Sequence, residues 1–119
     1  MTNISSLDEL ARLFQALGQE ARLQILLAIG GRETCVCHLE AVLGWRQAYL
    51  SQHLMALRKA GLLEGRREGR YIHYRLTDPQ LLEIVQRAAQ ARGLALPDLA
   101  PSADCGCSNC RKEQESNGH

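Results

Sequence analysis

A mainly helical fold of the α+β class, with five helices and one two-stranded β-hairpin, is predicted for this chain by three observations. Apolar residues recur at helical spacing in four stretches before residue 61 and in one after residue 79. Between them, from Leu62 to Leu76, the period switches to two around Glu68-Gly69, which marks a hairpin. Glycines stand where the helical patterns stop, at Gly18, Gly30-Gly31, Gly44 and Gly61. At 119 residues the chain is one domain, or one domain with a tail.

Each element has a local cause. Ser6-Leu7-Asp8-Glu9 reads as a capping box, whose Ser oxygen and Glu carboxylate satisfy each other's orphan backbone donors. Leu7, Leu10, Ala11, Phe14 and Leu17 then line one helical face. A second helix runs from about Glu20 to Ile29 with Leu23, Leu26 and Leu27 together. After Cys35-Val36-Cys37 a short helix, His38 to Leu43, stops at Gly44. A stronger pattern spans Gln47 to Ala60, with Leu50, Leu54 and Leu57 inward. The hairpin strands follow at residues 62–67 and 70–76. Ile72, Tyr74 and Leu76 form an apolar face there, and Tyr71, His73 and Arg75 a polar, solvated one. Asp78 caps the last helix, with Pro79 in its first turn. Leu81, Leu82, Ile84, Val85, Ala88 and Ala89 spread around that helix in two stripes. One stripe suits the core and the other needs a partner, which a homodimer supplies together with the Leu7–Leu17 helix. From Gly93 the periodicity fails, so residues 1–92 are expected to form the folded domain and 93–119 a flexible tail.

Composition narrows the function classes. The longest purely apolar run, Ile25 to Ile29, is far short of the roughly 20 residues of a membrane span. The first residues have neither a basic region nor an apolar one, so no secretory signal is expected and the cytoplasm is the expected compartment. Five cysteines in that setting are thiols or metal ligands rather than a disulfide framework. Net charge is +1, but Arg46 to Leu76 holds seven basic residues against two acidic ones. That block carries +5 and the remainder −4, the polarity of a chain that offers one face to a polyanion.

A short helix, a turn at Gly44-Trp45, a longer helix and a basic hairpin give the order of a winged helix-turn-helix. With the leucines of Gln47–Ala60 turned inward, the opposite side offers Gln47, Ala48, Ser51, Gln52 and Met55. These are short or uncharged side chains, suited to close approach to base edges in a major groove. Arg58 and Lys59 lie further along and suit phosphates. The hairpin brings Arg66, Arg67 and Arg70 to its tip, where a wing straddles the backbone of double-stranded DNA. His53 is either a DNA contact or a structural hydrogen-bonder, and Trp45 is expected to pack between the two helices.

The segments Leu10-Ala-Arg-Leu-Phe-Gln-Ala-Leu-Gly18, Glu20-Ala-Arg-Leu23, Cys35-Val-Cys37, Ser51-Gln-His-Leu54, Leu57-Arg-Lys-Ala-Gly-Leu62 and Arg67-Glu-Gly-Arg-Tyr71 occur in this order. Over roughly residues 6 to 92 the chain closely resembles the ArsR/SmtB family of metal- and metalloid-responsive repressors. The resemblance implies a homodimeric repressor that binds an operator and lets go when a thiophilic ion binds, with no cofactor held permanently. Its arsenic-type pattern, Cys-Val-Cys-Asp-Leu-Cys, is matched at Cys35 and Cys37. His38 replaces the Asp and Glu40 stands at the third cysteine. The cysteines that cadmium and lead variants add from an N-terminal arm are absent from the first 34 residues, and Pro79 to Arg92 contains no His for a zinc-type site.

The tail supplies what is missing. Cys105, Cys107 and Cys110 form a Cys-x-Cys-x-x-Cys cluster. Three thiolates suit As(III) or Sb(III), and four suit Zn²⁺, Cd²⁺ or Pb²⁺. Cys35 and Cys37 share an ion only if the backbone there is not helical, because helical residues two apart point about 200° apart. The tail has an extended reach of about 40 Å from Arg92 to Cys105, so at least one tail cysteine is expected to join the Cys35–Cys37 site of its own protomer or, across the dimer, of the other, unless the trio acts alone. The rival readings are a redox- or persulfide-responsive repressor of the same fold, a Cd, Pb or Zn sensor, and a structural zinc site. An enzyme is not expected, since Cys107-Ser-Asn-Cys110 has the spacing of a thiol oxidoreductase but no surrounding sheet.

Overall fold

Glycine stops the helices at the expected places. In the computed structural model, which describes residues 2–99, helix α1 runs Thr2–Leu17 and α2 runs Glu20–Ile29. Helix α3 (Val36–Leu43) ends on Gly44, whose left-handed φ of 69° suits glycine and whose N–H closes on the Glu40 carbonyl. Helix α4 spans Gln47–Lys59 and α5 spans Gln80–Ala91. Pro79 stands at the N-cap of α5, one residue later than the sequence suggests for the cap, and the Asp78 carboxylate just ahead of it accepts from the Gln80 N–H at 2.9 Å.

Helix α1 starts earlier than the capping box at Ser6–Glu9 predicts. Those residues lie inside the helix, where Asp8 and Arg12 form an exposed i,i+4 ion pair at 3.0 Å. The chain's four preceding residues extend the helix instead of opening it.

The hairpin consists of β2 (Leu63–Glu68) and β3 (Tyr71–Leu76), paired Leu63 with Leu76 through Glu68 with Tyr71. It is not an isolated pair. A two-residue strand β1 (Thr34–Cys35) adds to the far edge of β3, placing Thr34 opposite Tyr74 and Cys35 opposite His73 in an antiparallel sheet ordered β1-β3-β2. This corrects the expectation for His73. It stands on the central strand rather than a solvated wing face and is only 1% exposed.

Helix α2 is the hub of the core. Ile25, Leu26 and Ile29 are fully buried with Leu39 of α3 and Leu50 and Leu57 of α4. Each such side chain contributes about 1.5–3 kcal/mol by leaving water. Residues 94–99 carry no regular element, but Leu99 packs back onto the core. It shares a cleft with Gly31 and Arg32, just ahead of β1. No helix among the described residues is long and apolar enough to cross a membrane.

Candidate nucleic-acid interface and thiol site

Helix α4 presents three strips around its buried leucines. Gln47, Ser51, Met55 and Arg58 turn toward the wing and line a cleft of about 430 Å³. Ala48, Gln52 and Lys59 form the exposed crest. On the third strip the Tyr49 ring meets Trp45 edge-on at 5.1 Å and His53 edge-on at 4.7 Å. Tyr49 is half exposed and flanks the crest. The sequence reading did not single it out, although Trp45, Tyr49 and His53 follow one another at i,i+4 spacing. Burial and the positive charge of Arg22 lower the His53 pKa below its ordinary 6.5, which favours a neutral ring.

The basic residues divide by their surroundings. Arg67 and Arg70 are exposed on the wing. Arg58 lies 5.9 Å from the centre of the Tyr74 ring. Gly65 opposite Tyr74 leaves the space for this, since a Cβ there would stand 3.1 Å from the Tyr74 ring and 3.6 Å from the Arg58 guanidinium. Arg66 is engaged by acids on both sides, donating from Nε to Glu33 at 3.1 Å and from Nη1 to Glu68 at 3.1 Å. That pairing lowers the Glu33 pKa and raises that of Arg66. Glu33 carried no local signal in the sequence, because its partner lies 33 residues away.

Cys35 ends β1 with extended backbone (φ −80°, ψ 159°), and Cys37 lies in the first turn of α3. This strand-to-helix junction meets the geometric requirement that a regular helix fails. The two Sγ atoms are 2.6 Å apart, and His38 Nδ1 stands 3.7 Å from Cys35 Sγ. Cys35 is buried against Cys37 and Tyr71, and both cysteines line the cleft shared with Gln47, Ser51 and Arg58. Among the described residues no group of three His, Cys, Asp or Glu side chains is arranged to hold a metal ion. Cys105, Cys107 and Cys110 lie outside the described residues.

A helix-turn-helix beside a basic wing defines a DNA-binding regulator. Residues 19–64 match the family of bacterial regulatory proteins described as the arsR family. The chain is 43% identical over 67 residues to the arsenical resistance operon repressor of Escherichia coli, covering 56% of this chain and 57% of that protein. It is 38% identical over 93 residues to an arsenic resistance transcriptional regulator of Pseudomonas putida, covering 74% of this chain and 80% of that one. The homodimeric winged helix-turn-helix DNA-binding domain of a possible ArsR-family regulator from Mycobacterium bovis superposes with a TM-score of 0.67 at 33% identity, covering 76% of this chain and 86% of that one. This chain belongs to the arsR family of transcriptional regulators.

Proposed function

We propose that this chain is a cytoplasmic homodimeric repressor that leaves its operator when As(III) or Sb(III) binds through Cys35, Cys37 and a tail cysteine. The observation that carries this reading is the meeting of the Cys35 and Cys37 sulfurs in the cleft that Gln47, Ser51 and Arg58 also line. A ligand held there sits between the strand that pairs with the wing and the helix that reads DNA, so its binding and that of DNA are coupled. The names of the Escherichia coli and Pseudomonas putida relatives support arsenic as the inducer.

The third sulfur comes from the tail. Leu99 and Arg32 line one cleft, and Arg32 is three residues from Cys35. Six further steps lead from Leu99 to Cys105, an extended reach of about 20 Å, which favours a site completed within one protomer. Cys107 and Cys110 are the alternative donors, or with Cys105 form a self-contained site that orders fewer residues. Base contacts fall to Gln47, Ala48, Ser51, Gln52 and His53, and phosphate contacts to Arg58, Arg67 and Arg70.

The test titrates As(III), Sb(III), Cd²⁺, Pb²⁺ and Zn²⁺ against an operator complex, using the full chain and a chain ending at Ala103. As(III) and Sb(III) should release the full chain at the lowest concentrations, and the shortened chain should keep operator binding but lose the response. Equal release of both chains sinks the tail's role. The proximity of the two sulfurs favours a second reading, in which a peroxide removes two electrons and two protons from the pair. Release by peroxide without any ion, with a Cys35–Cys37 disulfide seen by mass spectrometry, selects it.

A further inference from the structure

Tyr49 is 46% exposed on a helix whose inward face is closed by Leu50, Leu54 and Leu57. The exposed ring is nonetheless held. Trp45 meets it from one turn before and His53 from one turn after, both edge-on, with interplanar angles of 81° and 77°. A ring needed only for packing would lie among the leucines. This one is clamped on two sides and open on a third.

Helical rotation says what the open side meets. Ala48 and Gln52 mark the crest of α4, and Tyr49 follows Ala48 by about 100° around the axis. Gln47, Ser51, Met55 and Arg58 occupy the flank that lines the wing-side cleft, so Tyr49 stands on the flank away from it. A helix about 10–12 Å across fills a major groove about 12 Å wide. Crest residues then face base edges, and a flank residue faces the sugar-phosphate wall. At that wall a phenol offers one hydrogen-bond donor and no charge.

We propose that the Tyr49 hydroxyl donates to an operator phosphate, with Trp45 holding the ring so that the contact sets how α4 turns in the groove. This rests on the reading of α4 as the helix that enters DNA, and on neither the inducer nor the tail. A phosphate contact carries no sequence information of its own. It fixes the register of α4, however, and so brings Gln52 of the crest and Gln47 and Ser51 of the other flank to their base pairs. Tyr49 thereby affects specificity without touching a base.

The experiment measures operator affinity at several salt concentrations for the full chain and its Tyr49→Phe and Ala48→Asp variants. Tyr49→Phe keeps the ring and loses the donor. It should weaken operator binding at least about tenfold and leave the salt slope unchanged, because a neutral hydroxyl displaces no counterion. Single methylphosphonates scanned across each half-site locate the contact. At one position the substitution should cost the unchanged chain at least about fivefold more than it costs Tyr49→Phe. Losses that add at every position overturn the phosphate contact, and so does a Tyr49→Phe chain that binds operator normally. Ala48→Asp puts a negative charge on the crest and should abolish operator binding. Normal binding by Ala48→Asp removes α4 from the groove and overturns the reading beneath the proposal as well. Trp45→Leu should weaken operator binding in the unchanged chain, but by no more than about twofold in the Tyr49→Phe chain. Equal weakening in both overturns the positioning part given to Trp45.

Discussion

Glu33, just ahead of β1, holds the guanidinium of Arg66 on β2 through both carboxylate oxygens, and the pair spans the sheet across β3. His73 sits between them on the central strand, opposite Cys35 on one side and Arg66 on the other. Arg66 therefore ties the segment just ahead of β1 to the wing and is paired with both Glu33 and Glu68. Arg66→Ala should leave the salt dependence of operator binding nearly unchanged, whereas Arg67→Ala and Arg70→Ala should each lower the slope by about one. Hydrogen exchange on the same Arg66 variant should quicken at the amides of β1 and β3. A drop in slope for Arg66→Ala equal to that for Arg67→Ala would show that Arg66 reaches phosphate.

Gln47 and Ser51 are expected to read bases. Gln47→Ala or Ser51→Ala should reduce discrimination between operator and random DNA by about 1–3 kcal/mol for each base-edge interaction removed. Fluorescence anisotropy with both DNAs measures this directly. Equal weakening on both would remove Gln47 or Ser51 from base readout.

Dimerisation is expected across the face where Phe14 of α1, 54% exposed, lies beside Ile84 and Ala88 of α5 in one apolar groove. Ala88→Glu places a charge there that desolvation penalises strongly. Sedimentation should show a dimer for the unchanged chain at micromolar concentration and a monomer for the variant, which should also lose operator affinity.

His53 gives stability a pH dependence of known sign. Its pKa is lower in the folded chain than its ordinary 6.5, so the unfolded chain binds the proton first as pH falls. The contribution of the neutral ring is therefore fully present above about 6.5 and declines below it, down to the folded pKa. Between about pH 7 and pH 5, His53→Gln should lose less stability in urea unfolding than the unchanged chain.

The helices were legible because each is written locally. Leu50, Leu54 and Leu57 recur at the spacing of one face, and Gly30 and Gly44 close two helices where the periodicity stops. What escaped the sequence reading depends on partners distant along the chain. His73 alternates with Ile72 and Tyr74 like a solvated residue, and nothing near it announces that Thr34-Cys35 will pair with its strand. The Glu33–Arg66 pair is hidden for the same reason. In the thiol site, the need for a non-helical backbone at Cys35 followed from side-chain direction alone. That the pair opens onto the recognition helix did not, because it depends on how the wing folds back over α4.

Trp45 is the chain's one tryptophan, and it stands in the turn ahead of α4 with its ring against Tyr49. Indole emission responds to the polarity and quenching groups around the ring. Any ligand that tilts α4 or disturbs the Tyr49–His53 stack will change the colour or yield of that emission, and no second indole in the chain blurs the signal. The protein thus carries a built-in optical gauge of the second helix of its helix-turn-helix, usable without a dye or a tag.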